Sequence, residues 1–154
     1  MAELKSTLKV FHEAELQGKE GHAKGHITKI LVGDKECPSE RIRVTLNTFE
    51  PGTQVPVHWH TVEKLYYCIA GRAVLKDVNG KTYEIGPGHS IFITPGIACA
   101  HGWDVKERLQ LLSILATTTP ERNIQFSVDP TTLKSYIEFN DLIKEAGATF
   151  KSLY

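Results

Sequence analysis

Pro51-Gly52-Thr53-Gln54-Val55-Pro56-Val57-His58-Trp59-His60-Thr61-Val62-Glu63-Lys64 is the densest run of ligand-type side chains in the protein. A Pro/Gly turn leads into it, two histidines stand one residue apart, and a carboxylate follows three positions later. In an extended strand alternate side chains share a face, so His58 and His60 point the same way, about 7 Å apart. Two imidazoles so placed converge on a small cation from one side and leave its other side to a second strand. An isolated His-x-His is more often ordinary histidine than a ligand pair, so its meaning depends on its surroundings.

Outward from this stretch the punctuation is that of short strands. Upstream, Ile27–Val32 is a β-branched run closed by the turn Gly33-Asp34-Lys35. Arg41–Phe49 then alternates, with Ile42, Val44 and Leu46 on one face and Arg41, Arg43, Thr45 and Asn47 on the other. On a solvated sheet those arginines face water; in a barrel whose lumen is a site, Arg43 would hold an anionic substrate. Downstream come Leu65–Ala70, Gly71 and Arg72–Val78, then Asn79-Gly80, a two-residue hairpin signal. Lys81–Ile85, Ser90–Ile93 and a last long strand, Arg108–Ala116, are separated by Gly/Pro turns. Roughly six to eight short strands with no helix between them predict an antiparallel all-β domain. Closing or doubling such a sheet removes its edges, which gives a β-barrel or jelly roll.

The flanks differ. Residues 1–25 are polar and read as an N-terminal arm that would pair with a sheet edge or a second subunit; residues 26–120 form the barrel. Residues 121–154 read as a short helical C-terminal tail packed on the barrel. Asp129-Pro130 offers an N-cap and a first-turn proline, Leu133, Ile137, Leu142 and Ile143 an apolar pattern, and Gly147 a stop.

A chain of 154 residues fits one domain, and 18 basic residues balance 18 acidic ones. Near-zero net charge gives no reason to expect nucleic acid or a membrane surface as partner. No apolar run approaches membrane-spanning length, and the N-terminus lacks a signal pattern. Cys37, Cys68 and Cys99 are widely spaced and odd in number, so reduced thiols and a cytoplasmic location are expected.

With these strands around it, the opening stretch resembles the first motif of the cupin superfamily, G-x5-H-x-H-x(3,4)-E-x6-G. It appears as Gly52, five residues, His58-Trp59-His60, Thr61-Val62-Glu63-Lys64, six residues and Gly71. The second motif, G-x5-P-x-G-x2-H-x3-N, is recognisable in Gly88, five residues and Thr94-Pro95-Gly96. The resemblance implies a single-domain, RmlC-like barrel, a homodimer, and one divalent transition metal (Fe, Mn, Ni or Zn) for a small-molecule ligand or substrate. Two positions depart from the pattern. Lys64, not Glu63, occupies the counted slot of the third ligand, and a protonated lysine has no lone pair for a metal. Cys99 stands where the fourth ligand is counted, with His101 two residues later, an offset that preserves facing in an extended segment. Trp103 replaces the motif's asparagine.

Three readings of the site follow. In the first, His58, His60, Glu63 and His101 hold the metal. In the second, the three histidines hold it and Lys64 stands beside it as general base or substrate clamp. In the third the cavity is metal-free. Tyr66 alternates with Lys64 and Cys68 and is a candidate cavity phenol, with Lys64 the catalytic pair; Arg43, Gln54 and Cys99 are candidate substrate contacts. The expected function is a metal-dependent enzyme acting on a small polar or anionic metabolite, with O2-dependent oxidoreductase chemistry placed ahead of isomerase or lyase chemistry. A non-catalytic binding or sensor protein is the alternative, supported by the lysine in the third-ligand slot.

Overall fold

Two long strands, each bent across both layers of the barrel, organise the computed structural model, which describes residues 4–119 and 122–137. The strands are β1 (Lys19–Glu20), β2 (His26–Val32), β3 (Arg43–Phe49), β4 (Gln54–His60), β5 (Lys64–Asp77), β6 (Thr82–Ile85), β7 (Ser90–Ile93), β8 (His101–Leu115), β9 (Gln125–Val128) and β10 (Ser135–Tyr136). Every pairing is antiparallel, in the order β1-β2-β3-β8-β4-β9-β10, with β5 holding β6, β7 and β8. The first half of β8 pairs with β4 (His58 opposite His101) and the second half with β3 (Phe49 opposite Leu109, Arg43 opposite Leu115). β5 follows β8 along its length, from Lys64 opposite Leu115 to Asp77 opposite His101. Its first half carries β7 and its second half β6. The sheet therefore folds into two facing layers, and the core between them draws on both: Phe49, Tyr66, Cys68, Leu109 and Leu111 from one, Ala73, Leu75, Trp103 and Val105 from the other.

The all-β jelly-roll expectation holds, with three differences of detail. Leu65–Ala70 and Arg72–Val78 are one strand, because Gly71 bends the backbone instead of ending it. Gly71 has φ +83, and a Cβ there would run into the carbonyl of Arg108. β8 begins at His101 rather than at residue 108. The part of the expected helical tail that is described, 122–137, is strand and turn. Asp129 accepts from the backbone N–H groups of Thr131 and Thr132 and from the Thr132 hydroxyl, which holds its carboxyl below the usual range. It thus closes a tight turn with Leu133 at φ 57, and the chain returns as β10 against β9. Leu142, Ile143 and Gly147 lie outside the described residues.

The alternation in β3 has an unexpected sense. Its polar face looks inward: Thr45 and Asn47 are buried, opposite Ser113 and Leu111. Among the described residues β6 and β7 pair only with β5, leaving a cleft of about 420 Å³ lined by Leu75, Tyr83, Ile85, Ile91 and Phe92. No helix among the described residues is long and apolar enough to cross a membrane.

Candidate metal centre

His58 and His60 on β4 and His101 at the start of β8 come together inside the barrel. Their ligand atoms all lie within 4.8 Å of one another, and all three side chains are buried. Strand geometry explains the approach. His58 is directly opposite His101, and the rings lie 4.6 Å apart between centroids; His60 is 4.9 Å from His58 and 5.7 Å from His101. The register of β4 against β8 shifts between Val55 and His58, so both Val55, opposite Trp103, and His58 face the interior. That bulge leans on Gly102, where a Cβ would stand 2.5 Å from the Val55 carbonyl oxygen and 2.9 Å from the Val57 nitrogen. Only glycine fits between His101 and Trp103.

The protonation states suit a cation. His58 Nδ1 lies 2.8 Å from the Pro56 carbonyl and His101 Nδ1 2.9 Å from the Cys99 carbonyl. A carbonyl accepts only, so both rings carry their proton on Nδ1 and present the Nε2 lone pair. His101 Nε2 and both nitrogens of His60 are buried without a hydrogen-bond partner among the described residues. Burial first, then neighbouring positive charge, holds His58 and His60 well below the usual histidine range; burial brings His101 to about 4. Asn123 lies close enough to His60 to act the other way, although its own Oδ1 completes no hydrogen bond among the described residues. Three buried neutral imidazoles, with nitrogens of His60 and His101 unpartnered among the described residues, fit a divalent transition metal.

The other predicted residues are distributed as follows. Glu63 is exposed and outside the histidine group, so the structure does not bring it to the cluster. Lys64 is the member of the pair that faces the interior, opposite Leu115 and Ile93, both buried. Its Nζ sits 4.5 Å from the centroid of Tyr66, and its charge is among the causes that depress His60. Tyr66 is buried, with its ring 6.0 Å from His101 and 5.3 Å from Trp103. Arg43 is half-buried at the end of the row Lys64–Leu115–Arg43. Gln54 is exposed, turned away by the bulge. Cys99 serves His101 through its carbonyl, while its thiol lies 3.4 Å from the Thr94 amide.

Sequence reasoning missed Gly102, Ser113 and Asn123. A glycine set between two large inward residues was a signal for Gly102; a serine amid the leucines of β8 was one for Ser113; Asn123 carried none.

Comparison with known proteins agrees with the geometry. The cupin-domain family profile matches residues 45–115, the segment that holds the three histidines. No curated protein matches the chain in sequence. Among solved structures, a polyketide cyclase from Streptomyces resistomycificus is similar with a TM-score of 0.64 at 20% identity, covering 92% of this chain and 97% of that one. An RmlC-like cupin from Shewanella frigidimarina gives 0.59 at 15% identity, over 72% and 92% of the two chains. A predicted oxalate decarboxylase from Thermotoga maritima gives 0.59 at 22% identity, over 71% and 99%. Residues 45–115 match the cupin-domain family, and the jelly roll built around them is the fold that these structures share.

Proposed function

We propose that this small-molecule cupin is a metal-dependent enzyme that moves a proton in a small polar or anionic metabolite, in lyase, isomerase or cyclase chemistry. The observation that carries the proposal is the facing of two unlike walls. Three neutral histidines stand on one side; Lys64, packed on Tyr66, stands on the other. A divalent metal held by the histidines would supply Lewis-acid polarisation of a substrate oxygen, and the ligand group among the described residues holds no carboxylate. Lys64 Nζ holds an anionic group when protonated and accepts a proton from substrate when neutral. The Tyr66 ring lies 6.0 Å from the His101 ring, and its hydroxyl would return or retain a proton at a substrate oxygen. O2-dependent oxidation, placed first from sequence, asks chiefly for open metal positions; the Lys64–Tyr66 pair supports proton transfer instead. Likeness to a polyketide cyclase over nearly its full length supports the same class by analogy of fold alone.

A sensor reading keeps some support from Lys64 in the third-ligand slot, and one experiment separates the two. Protein purified without chelator under reducing conditions should carry about one equivalent of transition metal, and His58→Ala should carry none. In D2O, small keto and hydroxy acids should gain deuterium by NMR with the wild type. Lys64→Met and Tyr66→Phe should keep the metal and lose the exchange. A wild type without metal would overturn the metal-centred reading; bound metal without exchange on any acid would favour the sensor.

Pairing of two copies is part of the proposal. Tyr67, Ile69 and Phe92 lie 43%, 46% and 61% exposed on the outside of β5 and β7, an apolar face suited to a second copy. Three free thiols support a cytoplasmic setting.

A further inference from the structure

Two further polar groups in the barrel are buried without a partner among the described residues: the indole Nε1–H of Trp103 and the hydroxyl of Ser113. Both side chains are sealed, at 4% and 0% exposure. An unmade hydrogen bond at a buried group is costly, so folds seldom keep two such groups in one lumen without a use.

Their placement narrows that use. Trp103 stacks on His101, 5.8 Å between centroids at 17°, with its edge toward Tyr66 at 5.3 Å. Ser113 is directly opposite Tyr66 on one side and Thr45 on the other, so its hydroxyl shares their inward face. The polar residues farther along that face are engaged with one another. Asn47 Nδ2 donates to Thr45 Oγ1, and Asn47 Oδ1 accepts from Thr28 and lies 3.0 Å from His26 Nε2. Trp103 and Ser113 thus stand next to Tyr66, and Trp103 also lies against His101.

We infer that Trp103 and Ser113 are substrate contacts that set specificity, reading an oxygen remote from the group held at the histidines. An indole N–H only donates, so the oxygen before Trp103 offers a lone pair; Ser113 donates or accepts. The substrate class is a small organic acid that carries a hydroxyl or carbonyl oxygen besides its acid group, with Lys64 as the counter-charge. This inference rests on the metal-dependent reading above.

The test uses Co(II)-loaded protein, whose visible absorption reports ligands entering the metal's surroundings. The probes are acetate, propanoate and butanoate, each against the acid with a hydroxyl on its last carbon. At least one hydroxy acid should bind wild type about tenfold tighter than its parent, the worth of one good hydrogen bond. In Trp103→Phe or Ser113→Ala that preference should fall below about threefold, with Co(II) stoichiometry kept. Ser113→Ala should also melt no lower than wild type, because removing an unpartnered hydroxyl removes its cost. Parent acids binding as tightly as every hydroxy acid would show that the two groups meet ordered water only and overturn the inference. A preference that survives in both variants would overturn it as well. A protein that takes up no Co(II), or whose bands ignore every acid, brings down the metal reading itself, a failure distinct from a lost preference.

Discussion

The barrel holds two histidine-bearing polar patches, and they differ in what they leave over. Around His26 the polar atoms close on one another. The ring stacks on Phe49 at 4.2 Å, its Nε2 lies 3.0 Å from both Asn47 Oδ1 and Thr28 Oγ1, and Asn47 turns its amide to Thr45. Around His58, His60 and His101 the Nδ1 atoms of His58 and His101 are engaged with backbone carbonyls, His101 Nε2 and both His60 nitrogens complete no hydrogen bond among the described residues, and each ring brings one ligand atom within 4.8 Å of the others. Burial depresses the proton affinity of both patches, so a shifted titration does not tell a site from a core. Hydrogen-bond completion does. A buried polar cluster that satisfies itself specifies the fold, and one with lone pairs to spare awaits a guest.

That contrast can be broken by experiment, and the largest effect belongs to the open patch. His60→Ala should abolish stoichiometric metal, a loss well beyond the about 10–100-fold expected from disturbing an outer partner of a ligand. Elemental analysis measures it, and retention of a full equivalent would mean that the cluster is only core. Next comes Gly102→Ala, which forces a Cβ against the Val55 carbonyl. We expect about 3 kcal/mol of destabilisation in urea together with weakened metal binding. Unchanged stability would show that β4 and β8 can part at no cost.

The closed patch answers to pH. His26 is held at about 4 by burial first, opposed by the Asn47 hydrogen bond and reinforced by the positive charges of His22 and Lys64. Its unfolded value is about 6.5. Protonation therefore favours the unfolded chain: the His26 contribution is constant above about pH 6.5, declines as pH falls, and levels off below about 4. The full decline is at most about 3 kcal/mol. In denaturant titrations at pH 7 and pH 4.5, wild type should lose more stability than His26→Gln; equal losses would remove His26 from the account. The smallest effect is expected at Glu63. Glu63→Gln should leave metal content unchanged, since the carboxylate is exposed. Loss of metal there would return Glu63 to the ligand set.

The fold was legible because its punctuation is local. Gly52, Asn79-Gly80 and Gly88 mark their turns in the sequence itself, and all three glycines take positive φ. Two of the histidines were legible through strand periodicity, and the third through an offset of two. The Glu63–Lys64 choice was not, because it depends on where β5 begins, and one residue there reverses every side chain that follows. Which face of β3 lines the lumen was equally hidden. Alternation says that faces exist, but only the pairing with Leu109, Leu111 and Ser113 says which is inside. In the described part of the tail, 122–137, the helix start expected at Asp129-Pro130 is a turn, because this pair starts a helix or closes a turn with the same atoms and the β9–β10 hairpin decides between them.

The two strands that cross from layer to layer also set how the molecule must assemble. β5 and β8 meet through partners 24 to 51 residues apart in sequence, and neither layer is complete until both halves of each have docked. No hairpin on its own contains His58, His60 and His101. The cluster forms only once β8 has folded back on β4, so affinity for metal arises with closure and not before it. Folding dominated by such distant pairings is slow for the chain's size, on the order of milliseconds to seconds. An ion that prefers the closed barrel would act chiefly on the reverse process, by lengthening the time the finished barrel stays shut.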